Sequence, residues 1–520
     1  MDGKVVVFLR VSSVARIPLY HHLRSLGVTL VLVHPHTPLS EFDGIFHHWL
    51  RQETDDVEEV YRTVSAFLAS RGLTASAVVS FDEYAVYQAA AVAARLDLVP
   101  VPLPPAAIQQ NNLKDSFRRF CQEHDISSPK SVPLSAAAAL LPTPATMAAL
   151  ARDPEGLAAA FESVRPALVV SLASAMAAAA VEFPIVLKPS PGAGSLLARW
   201  CPTAEDAVSH VWRMWIALAN HPDTRYFAAV ARGAPAGGVG GTAAETSANP
   251  VHILAEEYIE GQEVDMDCIV EHGVVRFCAV SDNFAPSPPY FAEVGGLCPS
   301  ALDVEAQEAL RDLLESYVRA QGTRLHGVLH FEAKYDPARR RAYVIEVNCR
   351  PGSAETYTML HTVYREVNLG EALVRCALQL PIRDQLARHF PESFTGEPEA
   401  LLLNRAATAA LCVPDADVAA PPTMWSMLGG PSRGFFPSQC WAASVNLYPA
   451  VAGVLRKARV PVEDDSLVAY SVSARPGEAV APPPTRFYLL CWMVARGKTA
   501  AEALDNIHRL TSAFEQEVAP

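Results

Sequence analysis

The chain has 520 residues, half of them hydrophobic and 19% charged, enough for a large buried core and for about three domains of roughly 150 residues each. Its net charge of −14, with no Lys/Arg run that could form a basic arm, argues against nucleic acid as the main partner, because phosphate backbones need a basic surface. Ten scattered cysteines include no Cys-x-x-Cys pair with zinc spacing, so they read as reduced, mostly buried thiols.

The N-terminus runs straight into Lys4-Val5-Val6-Val7-Phe8-Leu9, a strand too short for a signal sequence. The longest uncharged apolar run, Ala167 to Val181, is fifteen residues, below the roughly 20 that span a bilayer. The expectation is a soluble cytoplasmic protein with no membrane partner.

Residues 1–110 alternate strands (4–10, 28–33, 77–81) with helices (15–26, 55–70, 83–95), a βαβαβ order that implies a small parallel sheet. No G-x-G-x-x-G follows the first strand, so a dinucleotide fingerprint is unsupported. After the break at Pro100–Pro105, a helix is expected near Asn112, carrying Lys114, Asp115, Arg118 and Arg119. The alanine-rich stretch 134–182 and the low-complexity stretch 232–248 read as insertions, the second as a disordered loop.

Strands are expected at 184–189, 251–259, 264–271 and 274–281, and helices at 303–320 and 365–379. Residues 385–425 read as irregular. The tail has strand-like runs at 442–448 and 486–495, then a closing helix with a capping box, Thr499 as N-cap and Glu502 three residues on.

Four segments carry chemistry. The strand Phe183–Pro189 ends in Lys188, one of only seven lysines, and Ser190-Pro191-Gly192-Ala193-Gly194-Ser195 follows. A strand-end lysine beside a small-residue loop can hold phosphates, the lysine as a point charge and the loop through backbone N–H groups; taken alone, it is equally an ordinary Gly/Pro turn. Glu256-Glu257-Tyr258-Ile259-Glu260-Gly261-Gln262-Glu263 joins two strands with carboxylates that could bond an adenine amino group and a ribose, or form an acidic surface turn. The third and fourth segments make an antiparallel hairpin, His330-Phe331-Glu332 and Tyr343–Asn348, across the polar turn 335–341. Alternation puts Glu346 and Asn348 on one face, where Glu332 can join them in an all-oxygen site suited to Mg²⁺. Arg350 follows at the strand end, where a guanidinium can reach a phosphoryl oxygen. His326 and His330 read as structural.

In this order and spacing, the strand–Lys–Gly loop, E-E-Y-I-x-G-x-E, F-E and E-x-N-x-R-x-G resemble the ATP-grasp superfamily over roughly residues 112–380. The implied fold is α/β (α+β), with a Rossmann-like pre-ATP-grasp domain at 1–110, the ATP-grasp domain at 111–384 and a biotin-carboxylase-like lobe at 385–520. Val280–Asn283 and Phe291–Ser300 resemble carnosine synthase and the L-amino-acid (dipeptide) ligases. The resemblance implies Lys114 and Lys188 on ATP phosphates, with the loop of Gly192, Gly194 and Ser195 closing over them. It implies Glu256 on the adenine amino group, backbone groups of Glu257 and Ile259 at the ring edge, and Glu263 on the ribose. Glu332, Glu346 and Asn348 would bind two Mg²⁺ (or Mn²⁺), Arg350 would stabilise the transferring phosphoryl, and Glu293 would face the substrate amine.

Three positions depart from the family pattern: Leu196-Leu197 where Gly-Val is common, Ser353 for the last glycine of N-x-R-x-G-G, and Gly296 where dipeptide ligases often carry histidine. The first two leave the lysines, metal ligands and arginine in place; the third leaves the substrate open. The leading expectation is an ADP-forming ligase joining a small carboxylate to an amine, with homodimers common among relatives. The alternatives are a carboxylase or carbamoyl-phosphate type of enzyme and a non-catalytic nucleotide-binding module.

Overall fold

The computed structural model describes residues 1–11, 14–36, 40–143, 146, 150, 152–192, 194–219, 253–394, 424–483, 485 and 489–519. The low-complexity segment 232–248 and most of 385–425 lie outside them, as do Phe487 and Tyr488 of the tail. The chain forms two compact units, one of residues 1–105, 261–285 and 294–520, the other of residues 106–260 and 286–293. These units cut across the three consecutive domains read from the sequence. The first half of the expected ATP-grasp span forms a unit of its own, and the second half packs with the N-terminal layer and the tail.

The first unit begins with β1 (Val5–Leu9), α1 (Ile17–Ser25), β2 (Thr29–His34), β3 (His48–Arg51), α2 (Val57–Arg71), β4 (Ala77–Val79) and α3 (Val86–Arg95). The four strands form the expected parallel sheet in the order β3-β2-β1-β4. All five residues of β1 are buried, because a parallel sheet is covered on both faces. Asp56 caps α2 by accepting from the Glu58 and Glu59 N–H groups, and Gly72 ends it in the left-handed conformation at φ 62°.

The second unit contains α4 (Lys114–Glu123), β5 (Ser131–Pro133), α5 (Pro154–Ala178), β6 (Ile185–Pro189), β7 (Arg199–Cys201), α6 (Ala204–Ala219) and β8 (Ile253–Glu257). Its antiparallel sheet runs β5-β8-β6-β7. The alanine-rich stretch is a regular helix, α5, with Pro166 inside it and Leu168, Leu172 and Met176 buried. By length and composition alone, α5 would also pass as a membrane span.

The chain then returns to the first unit with β9 (Gln262–Glu271), β10 (Val274–Asn283), β11 (Gly296–Cys298), α7 (Val304–Gln321), β12 (Gly327–Asp336), β13 (Arg341–Asn348), α8 (Ala354–Val363) and α9 (Leu369–Ala377). The tail adds β14 (Trp441–Leu447), β15 (Gly453–Arg459), β16 (Leu467–Val472), β17 (Ala479–Val480), β18 (Cys491–Gly497), α10 (Ala500–Ala513) and β19 (Glu515–Ala519). One eight-stranded antiparallel sheet, β13-β12-β9-β10-β11-β14-β18-β16, joins the hairpin to the tail. A single apolar core runs from Phe8, Tyr20 and Phe81 of the N-terminal layer through Leu369 and Leu373 of α9 to Ile269 and Phe277 of this sheet. Fully burying a side chain of this size contributes about 1.5–3 kcal/mol. The capping box is present in shifted form: Thr499 Oγ1 accepts from the Glu502 N–H at 3.1 Å, but Glu502 reaches the N–H of Lys498, one residue before the cap.

Candidate active site

In the second unit, Lys114 opens α4 and Lys188 sits near the end of β6. The Lys114 N–H donates to Ser190 O at 3.2 Å and its ammonium to Gly192 O at 2.8 Å, so this lysine is tied to the loop after β6. The loop turns through left-handed conformations at Gly194 (φ 62°) and Ser195 (φ 55°); Ala193 lies outside the described residues. The Lys188 ammonium lies 2.6 Å from Glu256 on β8, and the Arg118 Nε donates to the same carboxylate at 2.8 Å. Burial pulls the Lys188 ammonium below its ordinary value, with Arg118 and Lys114 adding to the effect against Glu256. Two cations therefore engage one buried carboxylate, with the Lys114 ammonium close enough to act on Lys188, and this excess of positive charge favours an incoming anion.

Glu256 differs from expectation. Both of its oxygens are engaged by Arg118 and Lys188, so the carboxylate holds cations in place, a task the sequence did not suggest. Arg118, buried at 1% exposure, was named on this helix without a role, although it stands one helical turn after Lys114. At the end of β8 the Glu257 N–H is bonded to Lys130 O at 2.8 Å and Ile259 is buried. Glu293 is exposed in this unit.

In the first unit the hairpin has the expected register. Glu332 on β12 lies directly opposite Glu346 on β13, and His330 lies opposite Asn348. The Asn348 amide donates to Glu332 Oε1 at 2.8 Å, which leaves its own oxygen for a cation. Burial, and then the Glu346 charge, push the Glu332 carboxyl up to about 8. Two opposed carboxylates beside an amide oxygen are costly to ionise together and match the hard, all-oxygen donor set of Mg²⁺ or Mn²⁺. Among the described residues no group of three or more His, Cys, Asp or Glu side chains is arranged as metal ligands.

Glu263, at the start of β9, pairs in register with Lys334, whose ammonium is 4.0 Å away. Gly261 before it (φ 98°) admits no side chain, since a Cβ would stand 2.1 Å from Tyr335 O. Arg350 is held by Glu83 of the N-terminal layer, Nε to Oε2 at 2.8 Å. Burial works against its charge, but Glu83, then Glu332 and Glu346, raise it above the ordinary guanidinium value, so Arg350 lies within electrostatic reach of the hairpin carboxylates.

His330 is more than a packing residue. Its ring stands 3.2 Å from Asp267, 3.7 Å from Glu332 and 3.8 Å from Asp265. Burial opposes its charge, but Asp265 and Asp267 outweigh it and lift the imidazole to about 10. His326, by contrast, is structural as expected, stacked on His272 at 3.9 Å and bonded to Cys376 O at 3.1 Å. The polar face continues across the sheet: Asn283 donates to Asp265 at 2.9 Å, Ser444 accepts from the Gly296 N–H at 3.0 Å, and Asn446 donates to Glu355 at 3.0 Å. Asp265, Asp267, Glu355 and Asn446 escaped the sequence reading. Strand alternation alone shows one strand's faces, and this row exists only once six strands are in register.

Residues 240–358 match the model of the ATP-grasp domain. Carnosine synthase 1 of Gallus gallus is 32% identical over 208 residues, covering 39% of this chain; the chain spans only 20% of that relative's length. Among solved structures, the L-amino acid ligase from Bacillus licheniformis superposes over 100% of both chains with a TM-score of 0.70 at 14% identity. The biotin carboxylase domain of the Hydrogenobacter thermophilus 2-oxoglutarate carboxylase, solved with MgADP and bicarbonate, covers 99% of this chain and 91% of its own with a TM-score of 0.57 at 11% identity.

Proposed function

We propose that this chain, whose residues 240–358 match the ATP-grasp domain, is an ADP-forming ligase that joins a small-molecule carboxylate to an amine, of the amino-acid or dipeptide type. The observation that carries the proposal is the register of Glu332 against Glu346, with Asn348 and Arg350 completing one face. A bare carboxylate resists amines because its leaving group would be an oxide dianion. Its oxygen first attacks the γ-phosphorus of ATP, breaking the bond to the bridging oxygen and releasing ADP. The amine nitrogen then adds to the acyl-phosphate carbon, phosphate departs with the C–O electrons, the nitrogen loses a proton and an amide remains.

The protein's share is positioning and charge neutralisation. Lys114 and Lys188 hold phosphate oxygens, the loop through Gly192, Gly194 and Ser195 offers N–H groups, and Arg350 meets the charge of the transferring phosphoryl. Glu332, Glu346 and Asn348 would hold Mg²⁺, which supplies Lewis-acid neutralisation of the phosphates when bound. Glu257 and Ile259 border the base, Glu263 the ribose, and Glu293 faces the amine. The proposal includes a cytoplasmic setting and small-molecule partners.

The likeness to a biotin carboxylase domain supports a second reading, in which bicarbonate is the acid. ADP release with Mg-ATP across amino-acid pairs, with mass spectrometry of the products, separates the two. Release that needs two organic substrates and yields an amide supports the ligase; release that needs bicarbonate alone supports the carboxylase; release with neither rejects both.

A further inference from the structure

Arg16, immediately before α1, is 7% exposed and belongs to neither of the two residue groups described above. Its Nη2 donates to the carbonyl of Gly352 at 3.4 Å, two residues beyond Arg350. Its Nη1 is buried with no hydrogen-bond partner. A buried guanidinium whose one partner is a neutral carbonyl is costly, because its charge is desolvated without a counter-charge.

The charges around it do not balance. Burial, and next the charge of Arg350, pull the Arg16 guanidinium down to about 10, while Asp82 and Glu83 act in the opposite direction more weakly. Those two carboxylates serve other arginines: Asp82 lies 3.2 Å from Arg10 and Glu83 is bonded to Arg350. Arg10 and Arg350 each have a carboxylate at ion-pair distance; among the described residues Arg16 has none, and it touches the loop that follows the β12–β13 hairpin through Gly352.

We propose that Arg16 is a specificity residue that binds a substrate oxyanion, the carboxylate of the amino acid that supplies the amine. This rests on the ligase reading and sharpens it: the nucleophile is an amino acid, recognised by a carboxylate that does not react, and simple amines are poor substrates. A guanidinium is suited to the task, since it pairs with a carboxylate through two parallel hydrogen bonds. A phosphate oxygen of the nucleotide would satisfy the same group, so the test separates the two.

The test uses the full chain with Mg-ATP and pairs each amino acid with its α-amide and its decarboxylated amine. The first set is L-histidine, L-histidinamide and histamine, with β-alanine as the acid, followed by other amino acids. ADP release gives kcat/KM, and the thermal midpoint in Mg-AMP-PNP reads binding without turnover. The wild type should prefer the free amino acid by at least tenfold, and only the free acid should raise the midpoint. Arg16→Gln should bring that ratio close to one with KM for Mg-ATP within twofold of wild type, and Arg16→Lys should restore part of it.

A ratio unchanged in Arg16→Gln overturns the proposal. A tenfold rise in KM for Mg-ATP with the ratio unchanged assigns Arg16 to a phosphate and overturns it too. A wild type that releases ADP but accepts acids and amides alike removes the subsite and leaves the ligase standing. A wild type that binds free acids selectively yet releases no ADP with any pair keeps the subsite and removes the ligase.

Discussion

The two units carry opposite charge patterns built by different means. In the second, Arg118 from a helix and Lys188 from a strand converge on Glu256, and Lys114 of the same helix is tied to the loop after β6, so a single buried carboxylate organises two of three neighbouring cations. In the first, Asp265, Asp267, Glu332 and Glu346 are spread along neighbouring strands, with His330 and Arg350 as the cations among them. A helix start and a strand end suit the holding of an anion with a few long side chains. A sheet face suits a cation, because register places short oxygen-bearing side chains at fixed separations.

The sharpest way to break this contrast is Glu256→Ala. It strands Arg118 and Lys188 in the interior, and losing one partner of a buried ion pair costs about 3–5 kcal/mol. Urea unfolding should show that loss; an unchanged midpoint would mean that Glu256 does not organise the cations. Glu346→Ala and Arg350→Ala should each lower ADP release by at least about 10²-fold, as the loss of an electrostatic stabiliser does, with the fold retained by circular dichroism. Full activity in Glu346→Ala would remove the metal assignment.

Glu332→Gln should weaken Mn²⁺ binding, followed by electron paramagnetic resonance, by at least about tenfold, since even outer partners of a metal ligand cost that much. The same substitution should leave binding of inorganic phosphate at the lysine cluster unchanged; a loss there would merge the two patterns into one. The smallest effect belongs to a control outside both regions. Thr499→Ala removes the cap of α10 and should cost about 1 kcal/mol in stability with ADP release unchanged.

Legibility in the sequence followed the range of the forces involved. The strands β1, β2, β6, β9 and β10 and the hairpin β12–β13 were readable because their apolar alternation is local. β3 was not, since His48-Trp49-Leu50-Arg51 is a short edge strand with one buried residue. α5 read as an insertion because alanine gives no face to detect and Pro166 interrupts the pattern. Among the proposed site residues, Lys188, Glu332, Glu346, Asn348 and Arg350 were named from spacing. Arg118, Arg16, Asp265 and Asn446 were not, because what makes them matter is a partner many residues away. Glu256 was located from its motif, but the sequence does not show that two cations engage its oxygens.

The bond between Glu83 and Arg350 has an engineering corollary. The N-terminal layer resembles a detachable accessory, but it supplies the anion that aims Arg350. Through His22, 2.7 Å from Glu371, it also braces the helix behind the main sheet. A fragment starting at residue 106 would release that arginine and strip the cover from Leu369 and Leu373, which share the core of Phe8 and Phe81. Domain shuffling that swaps the first hundred residues between relatives would therefore have to carry Glu83 and its arginine across together.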